Sequence, residues 1–174
     1  MRRVVIAVVA GSLALVAGLG TAFIVGMRRR SPSVIGAVRR VARATKGLQL
    51  RSAGSAGAYA SVVRHVGRSS GKEYETPVRA AAGSGGFVIA LPYGSGSDWV
   101  KNVLAQGGAT IIHNGSAYRV SQPRVAPLTE AEEHFSGRDQ RAHRLFGVTE
   151  CLELRTVETS PPPVTHTGRS PIVG

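Results

Sequence analysis

The sequence begins with an apolar run that constrains the whole chain, because a helix of this length can cross a bilayer. Residues Val4–Met27 carry no charged side chain, and at roughly 1.5 Å per residue such a helix covers a hydrocarbon core about 30 Å thick. A cleaved signal peptide would also begin with bases such as Arg2 and Arg3, but its apolar core is usually only about 7 to 15 residues long. Arg28 follows the run directly, as in a stop-transfer sequence. The sequence therefore predicts a transmembrane anchor with a basic flank over residues 1–30.

Basic residues are concentrated directly after this run. The formal net charge of +12 would by itself suggest nucleic-acid binding. Residues 28–51, however, hold eight basic and no acidic residues, whereas residues 52–174 hold twelve basic and ten acidic ones. Positive charge next to a membrane helix is typical of the cytoplasmic side and attracts anionic lipids. We therefore expect a single-pass protein of the cell membrane with a cytoplasmic C-terminal domain, membrane lipids as partners and no nucleic-acid partner.

Small residues recur at every fourth position of the apolar run. They are Ala10, Ala14, Gly18, Ala22 and Gly26. This spacing places them on one helix face, where a second helix can approach closely. The pattern is compatible with a homodimer, and equally with the abundance of alanine and glycine throughout the chain.

The remainder of the chain is long enough for one domain. Residues 31–57 are expected to form a basic juxtamembrane helix, over Val34–Leu48, and a linker. Residues 58–158 are expected to form the folded domain, and the Pro-rich residues 159–174 a disordered tail. Cys151 is the only cysteine, which excludes an intrachain disulfide and fits a reducing compartment.

Short apolar runs separated by turn residues predict six mainly antiparallel strands. The runs are Ala58–Val66, Glu73–Ala81, Phe87–Leu91, Ala109–His113, Ala117–Val125 and Glu150–Val157. Asn114-Gly115 lies between two of them and is a strong hairpin signal. Because strands and helices do not alternate regularly, the pattern favours a small β-barrel with covering helices over a doubly wound sheet.

Two helices are predicted between these strands. Ser97 is suited to cap a helix over Asp98–Gln106. Thr129 and Glu132 have the spacing of a capping box, which predicts a second helix that starts there. This helix either continues to Leu145 without a break or is broken at Ser136-Gly137 and resumes to Leu145.

The turn Gly67–Gly71 carries the first candidate chemistry. It matches the G-x-S-x-G pattern around Ser69, but a strand follows it instead of a helix, so a hydrolase nucleophile is disfavoured. Its backbone N–H groups, its two hydroxyls, Arg68 and Lys72 are suited to hold an anion. The alternative is a solvated hairpin tip.

Histidine and tryptophan provide further candidates. The five histidines lack metal-ligand spacing among themselves or with Cys151, so no metal site is predicted. His65 either points into a cleft or is structural. Trp99 follows a glycine-rich loop on the first turn of its helix, where it can anchor the helix to the core, border a flat ligand ring, or do both.

An ordered set of short motifs points to a known family. The set comprises His65–Gly71, Thr76-Pro77, Leu91–Gly94, Asp98–Leu104, Gly107-Gly108, Tyr118–Val120 and Leu145–Val148. In this order and spacing the chain resembles the deazaflavin-dependent nitroreductases of the flavin-binding split-barrel superfamily. The resemblance covers residues 59–155 and implies a six-stranded antiparallel split β-barrel with covering helices.

The resemblance also implies a site for the reduced deazaflavin coenzyme F-420. It assigns the phosphate-bearing tail of the coenzyme to Gly67, Arg68, Ser69, Ser70, Gly71 and Lys72. It assigns the border of the ring to Pro77, Pro92, Tyr93, Trp99 and Asn102. The implied reaction is hydride transfer to a quinone, a nitro compound or a similar electron-poor acceptor, in which the cofactor carries the chemistry and the protein orients it. Individual catalytic side chains are not identified.

Two positions depart from the pattern of the family. Ser69 stands where members of the family often have a second basic residue. Members of the family also often have an arginine near the position of Tyr74. Two alternatives therefore stay open, namely the same barrel with FMN and a cofactor-free, membrane-tethered interaction module.

Overall fold

A seven-stranded antiparallel sheet forms the centre of the protein. The computed structural model describes residues 18–83 and 85–160. The strands are β1 Ser61–Val66, β2 Glu73–Val78, β3 Ala80–Gly83, β4 Gly86–Ala90, β5 Gly108–His113, β6 Ser116–Pro127 and β7 Glu150–Ser160. Their order across the sheet is β2-β1-β5-β6-β7-β4-β3, and all neighbours are antiparallel. The predicted antiparallel architecture is confirmed, but the predicted number of six strands is wrong.

Arg79 divides the predicted second strand into two. Glu73–Val78 pairs with β1, whereas Ala80–Gly83 pairs with β4. β2 and β3 are thus the two edges of the sheet, although a single residue separates them in the chain. Because consecutive Cα atoms are about 3.8 Å apart, the two edges must meet at Arg79. The sheet therefore curls like a barrel that stays open along a seam, which we define as the gap between β2 and β3 beginning at Arg79.

The described part of the chain contains four α-helices. They are α1 over residues 18–28, α2 Pro32–Leu50, α3 Asp98–Gln106 and α4 Gly137–Phe146. Helix α2 lies where the juxtamembrane helix is predicted, and α3 has the predicted bounds. Gly107 adopts φ 67° at the end of α3, a left-handed conformation for which glycine is best suited.

The predicted capping box at Thr129 does not form. The chain there makes two short 3-10 helices, Leu128–Glu130 and Glu132–His134, and neither has a side-chain cap. Ala131 separates them with φ −136°, a conformation that interrupts the helix. Helix α4 begins only after Ser136, whose hydroxyl accepts a hydrogen bond of 3.2 Å from the backbone N–H of Asp139.

The predicted hairpin at Asn114-Gly115 is confirmed. The two residues join β5 to β6, with φ values of 50° and 83°. Two consecutive positive φ angles are the hallmark of the tight turn that matches the twist of paired strands. Local sequence chemistry is sufficient to specify this connection.

The sheet and its helices bury two apolar clusters. The larger contains Val63, Ala80, Phe87, Ile89, Leu91, Val100, Val103, Ile111, Val120, Leu152 and Leu154. Helix α3 contributes Val100 and Val103, each fully buried, so this helix is docked on the curled sheet. The smaller contains Ala81, Val88, Ala126, Leu128, Ala131, Phe135 and Cys151. Cys151 is fully buried there.

The N-terminal part of the predicted anchor, residues 4–17, lies outside the described residues. Among the helices that are described, none is long and apolar enough to cross a bilayer. The end of α1 packs on the domain, since Phe23 meets Phe146 edge-on at 6.1 Å and Arg28 Nη1 donates to the carbonyl of Arg144 at 2.9 Å. Residues 161–174 of the predicted disordered tail lie outside the described residues.

One member of the predicted small-residue face has a partner within the chain. A Cβ atom at Gly26 would collide with the side chain of Val34. Gly26 thus permits α1 and α2 to approach each other. A homodimer through this face stays a prediction, because Ala10 and Ala14 lie outside the described residues.

A polar cluster holds the seam together at Arg79. Its Nε and Nη2 donate to Asp139 Oδ2 at 3.1 and 3.0 Å, and the Tyr59 hydroxyl donates to Asp139 Oδ1 at 2.6 Å. Burial alone would raise the pKa of Asp139, but hydrogen bonds from Tyr59, Ser136 and Arg79 outweigh it and bring the pKa to about 2. Since Asp139 lies on α4, the cluster ties this helix to the meeting point of the sheet edges.

We expect Asp139→Asn to lower the free energy of unfolding by about 2 to 4 kcal/mol, because it deprives Arg79 of its partner. Because the Arg79 side chain is 32% exposed, the loss in free energy of unfolding should lie toward the lower end of the losses measured when buried ion pairs are broken. Urea denaturation measures the difference. The matched control is Glu130→Gln, which removes an exposed pair with Arg124 and should lower the free energy of unfolding much less than Asp139→Asn does. Equal losses in the two variants would contradict a structural role for Asp139.

Candidate functional site

The turn between β1 and β2 is closed by its own backbone. The Gly67 N–H donates to the Lys72 carbonyl at 2.8 Å, and the Gly71 N–H donates to the Gly67 carbonyl at 2.9 Å. A side chain at Gly67 would collide with the side chains of Ser70 and Tyr74, so a larger residue there would displace them. Ser69, Ser70 and Lys72 are exposed. The turn therefore presents two hydroxyls and an ammonium group to solvent.

Arg68 connects this turn to the beginning of α3. Asn102 Oδ1 accepts two hydrogen bonds from Arg68, at 3.2 Å from the backbone N–H and at 2.8 Å from Nη1. Arg68 Nη2 also donates to Asp98 Oδ1 at 3.2 Å. The Asp98 side chain is 88% exposed, so this ion pair contributes little. Asn102 is buried, and it is the stronger attachment of Arg68.

Asn102 in turn reaches His65 on β1. Asn102 Nδ2 lies 3.2 Å from His65 Nδ1, and His65 Nε2 lies 3.1 Å from Thr76 Oγ1. Because Asn102 Oδ1 already faces the two Arg68 donors, its Nδ2 group must be the donor toward His65. His65 Nδ1 is then the acceptor, and Nε2 carries the proton and donates to Thr76. We call the connected set Thr76, His65, Asn102, Arg68 and Asp98 the Arg68 network.

The surroundings of His65 favour this neutral form. His65 is 6% exposed, and the ring of Tyr74 stacks against it at 5.8 Å. Burial lowers the pKa of His65, and the positive charge of Lys46 on α2 lowers it further. At neutral pH the imidazole is therefore an uncharged connector between β2 and α3.

The residues assigned to the ring border occupy several environments. Trp99 is half-buried and packs against the larger apolar cluster, which agrees with a core anchor. Pro92 is exposed and Tyr93 is half-buried. Asn102 belongs to the Arg68 network, but Pro77 follows Thr76 on β2 and so faces the opposite side of the strand. There Pro77 lines a cavity of about 510 Å³ together with Gln49, Arg79 and most of residues 52–60.

Helix α2 lies beside the same region. Arg39 Nη2 donates to Ser97 Oγ at 3.3 Å, just before α3. Burial raises the pKa of Tyr93, and the nearby charge of Arg39 opposes this rise. Lys46 lies two helical turns further along the same face of α2 and lowers the pKa of His65. Two bases of the predicted juxtamembrane helix thus face the candidate site.

Three members of the Arg68 network were not assigned a role from the sequence. His65, Thr76 and Asp98 all belong to the motifs that carry the family resemblance, and this membership was the available signal. Their hydrogen bonds within the network join residues that are 11 to 37 positions apart in the sequence. Such contacts depend on the docking of α3 and cannot be read from local spacing.

The described residues also bear on metal binding and on thiol reactivity. They contain no group of three or more His, Cys, Asp or Glu side chains placed to hold a metal ion. Burial raises the pKa of Cys151 to about 11, so this thiol stays protonated and unreactive at neutral pH. What the site offers is a set of anion donors beside a buried polar network.

Two further histidines share the low-pKa character of His65. His113 Nδ1 lies 2.7 Å from Ser61 Oγ, and His143 packs edge-on against Phe135 at 4.8 Å. Burial lowers the pKa of both. Within the described residues, His143 Nδ1 has no hydrogen-bond partner.

We expect the free energy of unfolding to fall as the pH drops below about 6.5, because His65, His113 and His143 all have folded-state pKa values below their ordinary value. The unfolded chain then binds more protons than the folded one. Above about pH 7.5 all three are neutral in both states, so their contribution is constant there. Urea denaturation at a series of pH values measures the slope.

The variant His143→Leu should flatten this slope, since it removes one of the three groups without breaking a hydrogen bond of the described structure. Greater stability at about pH 5 than at about pH 6.5 would contradict the assignment.

Comparison with known proteins provides no family assignment. No protein-family model matches the chain, and no curated protein matches it. Among solved structures, the chain is similar to a candidate 5-nitroimidazole antibiotic resistance protein from Bacteroides thetaiotaomicron, with 11% identity over 59% of this chain and 75% of that chain and a TM-score of 0.38. A similarity this distant assigns no function to the chain.

Proposed function

We propose that the protein is a membrane-anchored oxidoreductase that binds reduced coenzyme F-420 and passes hydride to a quinone, a nitro compound or a similar electron-poor acceptor. One observation carries the proposal. The family resemblance assigns Arg68 to the coenzyme tail and Asn102 to the ring border, and these residues, 34 positions apart, are joined by a hydrogen bond of 2.8 Å. The motifs of the resemblance thus meet in one place.

The donors at the turn suit the anionic tail of the coenzyme. Lys72 offers an exposed ammonium group, Ser69 and Ser70 offer exposed hydroxyls, and charge-assisted bonds to phosphate are stronger than neutral ones. Asn102 and Asp98 fix the Arg68 guanidinium close to the start of α3. Backbone N–H groups at the start of a helix also favour negative charge. The residues present therefore fit a phosphate-bearing ligand.

The other side chains of the site would orient the ring and restrict solvent. Trp99 braces α3 against the core, so the loop before this helix has a rigid support. Arg39 and Tyr93 bring α2 next to that loop. When bound, the reduced coenzyme supplies the hydride, and the protein contributes position and electrostatics. FMN would use the same phosphate donors and is the alternative cofactor.

The exposed side of α2 supports contact with a membrane. Arg40 and Arg43 are exposed there, next to Val41 at 63% and Leu48 at 68% exposure. Basic and apolar side chains together favour an interface rich in anionic lipid. The domain would therefore lie on the cytoplasmic surface, where lipid-soluble acceptors reach it directly.

We expect a reporter fused after Gly174 to behave as cytoplasmic, because eight basic residues follow the predicted span and only two precede it. An alkaline phosphatase fusion should be inactive and a fluorescent protein fusion bright. The opposite pair of results would contradict both the proposed orientation and access to a cytosolic coenzyme.

We expect Arg68→Ala combined with Lys72→Ala to weaken F-420 binding by about 1 to 3 kcal/mol, since charge-assisted bonds to the coenzyme phosphate are lost. Titration followed by the fluorescence of the deazaflavin ring measures the affinity. The matched control is Arg64→Ala, which removes an exposed base of the same hairpin that is paired with Glu75. This control should bind F-420 as the unmodified chain does.

The same titration distinguishes the alternatives. If the unmodified chain binds FMN but not F-420, the barrel uses the ordinary flavin. If it binds neither, the proposal of an oxidoreductase is overturned in favour of a membrane-tethered interaction module. Unchanged affinity in the double variant, with a normal melting curve, would move the phosphate site away from the turn.

A further inference from the structure

His65 is a buried titratable group for which the proposed function provides no role. Both of its ring nitrogens face side-chain partners, Nδ1 the amide of Asn102 and Nε2 the hydroxyl of Thr76. We propose that neutral His65 is a positioning residue that locks Asn102 in the orientation that holds Arg68, and that protonation of His65 releases Arg68 and with it the anion-binding turn. The part of this inference that concerns F-420 affinity rests on the proposed function.

The lock follows from the donors and acceptors of one amide group. Asn102 has a single side-chain oxygen, and Arg68 directs two donors at it. The NH₂ group of Asn102 is therefore turned to the other side, where it needs an acceptor because Asn102 is 6% exposed. His65 Nδ1 is an acceptor only while it carries no proton. The orientation of the amide, and thus the hold on Arg68, depends on the neutral imidazole.

Protonation reverses this arrangement. A protonated imidazole donates from both nitrogens, so His65 Nδ1–H would face the NH₂ group of Asn102 and two donors would oppose each other. The amide can relieve the conflict by rotating its oxygen toward His65. The NH₂ group would then face the donors of Arg68. Arg68 would keep only its bonds to Asp98. One is a long bond of 3.3 Å from Nη1 to the backbone carbonyl, and the other joins Nη2 to the largely exposed carboxylate, which holds weakly.

Burial and a nearby charged group set the pH at which the lock opens. Burial disfavours the protonated imidazole most, and the positive charge of Lys46 on α2 disfavours it further. Tyr74 on β2 covers one ring face. Asp98 on α3 is bonded to Arg68 and not to the imidazole. The lock is therefore closed at neutral pH and opens only under conditions more acidic than those that protonate an exposed histidine.

Release of Arg68 has a defined consequence for the turn. The backbone N–H of Arg68 also donates to Asn102, so rotation of the amide frees both the main chain and the side chain of this residue. A ligand must then order a long side chain that was previously fixed. We expect a loss in F-420 affinity of about 2- to 12-fold, the factor associated with immobilising one such side chain.

The lock is tested first without any cofactor, by ¹⁵N NMR of the full chain in detergent micelles. At about pH 7.5 we expect His65 to show the neutral tautomer protonated at Nε2. The protection factor of the Arg68 backbone amide, which takes the slower intrinsic exchange at lower pH into account, should fall with the same midpoint as the titration of His65. The inference is overturned if the protection of the Arg68 amide does not change as His65 titrates. It is also overturned if His65 is protonated at Nδ1 at neutral pH.

Two substitutions at position 65 separate the lock from simple packing. In His65→Asn the side-chain oxygen can take the place of Nδ1 and accept from Asn102, whereas in His65→Gln the polar atoms lie nearer the place of Nε2. Both remove the ring and should cost similar stability. We expect His65→Asn to keep the Arg68 amide protected and to abolish its pH dependence, and His65→Gln to leave it unprotected at every pH. Equal protection in the two variants overturns the inference.

A third variant covers the case in which position 65 does not tolerate substitution. Thr76→Val removes the acceptor of the Nε2 proton but leaves the ring in place. It should raise the share of the Nδ1-protonated tautomer and speed amide exchange at Arg68; unchanged exchange overturns the lock.

F-420 titration of the folded variants then tests whether the state of the lock changes the affinity for the coenzyme. Failure of the unmodified chain to bind F-420 overturns the proposed function alone, because the NMR result decides the lock independently.

Discussion

The contact between Arg79 and Asp139 is the constraint on which the curled sheet depends. β2 and β3 are neighbours in the chain but opposite edges of the sheet, so the edges converge where Arg79 stands. No ladder of hydrogen bonds joins them within the described residues. The buried carboxylate of Asp139 substitutes for such a ladder, since it binds the guanidinium of Arg79 and the hydroxyl of Tyr59 and belongs to α4. One side-chain cluster thus fixes the strands, a loop and a helix relative to one another.

The candidate site lies on the hairpin that this arrangement leaves least supported. β2 has only one strand neighbour, β1, so the hairpin needs other contacts to hold the turn at its tip. Helix α3 provides them through Asn102, and α2 adds the basic residues Arg39 and Lys46. The exposed ion pair between Arg68 and Asp98 contributes little by comparison. Positioning of the turn is therefore due mainly to one buried amide, whose orientation depends on a histidine.

Local chemistry predicted the parts of the fold that are determined locally. Residues 98–106 form a helix that Gly107 ends as predicted, although Ser97 makes no side-chain cap and its hydroxyl donates to the Gly94 carbonyl instead. Asn114-Gly115 forms a hairpin because both residues tolerate positive φ. The break at Arg79 was missed because residues on both sides of it favour extended structure, and only the pairing with β1 or β4 separates them. The capping box at Thr129 failed for a similar reason, since burial of Leu128 and Ala131 in the smaller apolar cluster favours two short turns there.

The basic residues of α2 show why a charge count cannot assign a role to each charge. The excess of bases over residues 28–51 indicates the side of a membrane, and Arg40 and Arg43 face outward as that interpretation requires. Arg39 and Lys46 are half-buried and face the loop before α3 and the Arg68 network. Because a helix has two faces, the same segment can contact lipid with one and influence the candidate site with the other. If α2 lies on a membrane as we propose, an acceptor dissolved in the bilayer would meet the helix first, and the site directly behind it.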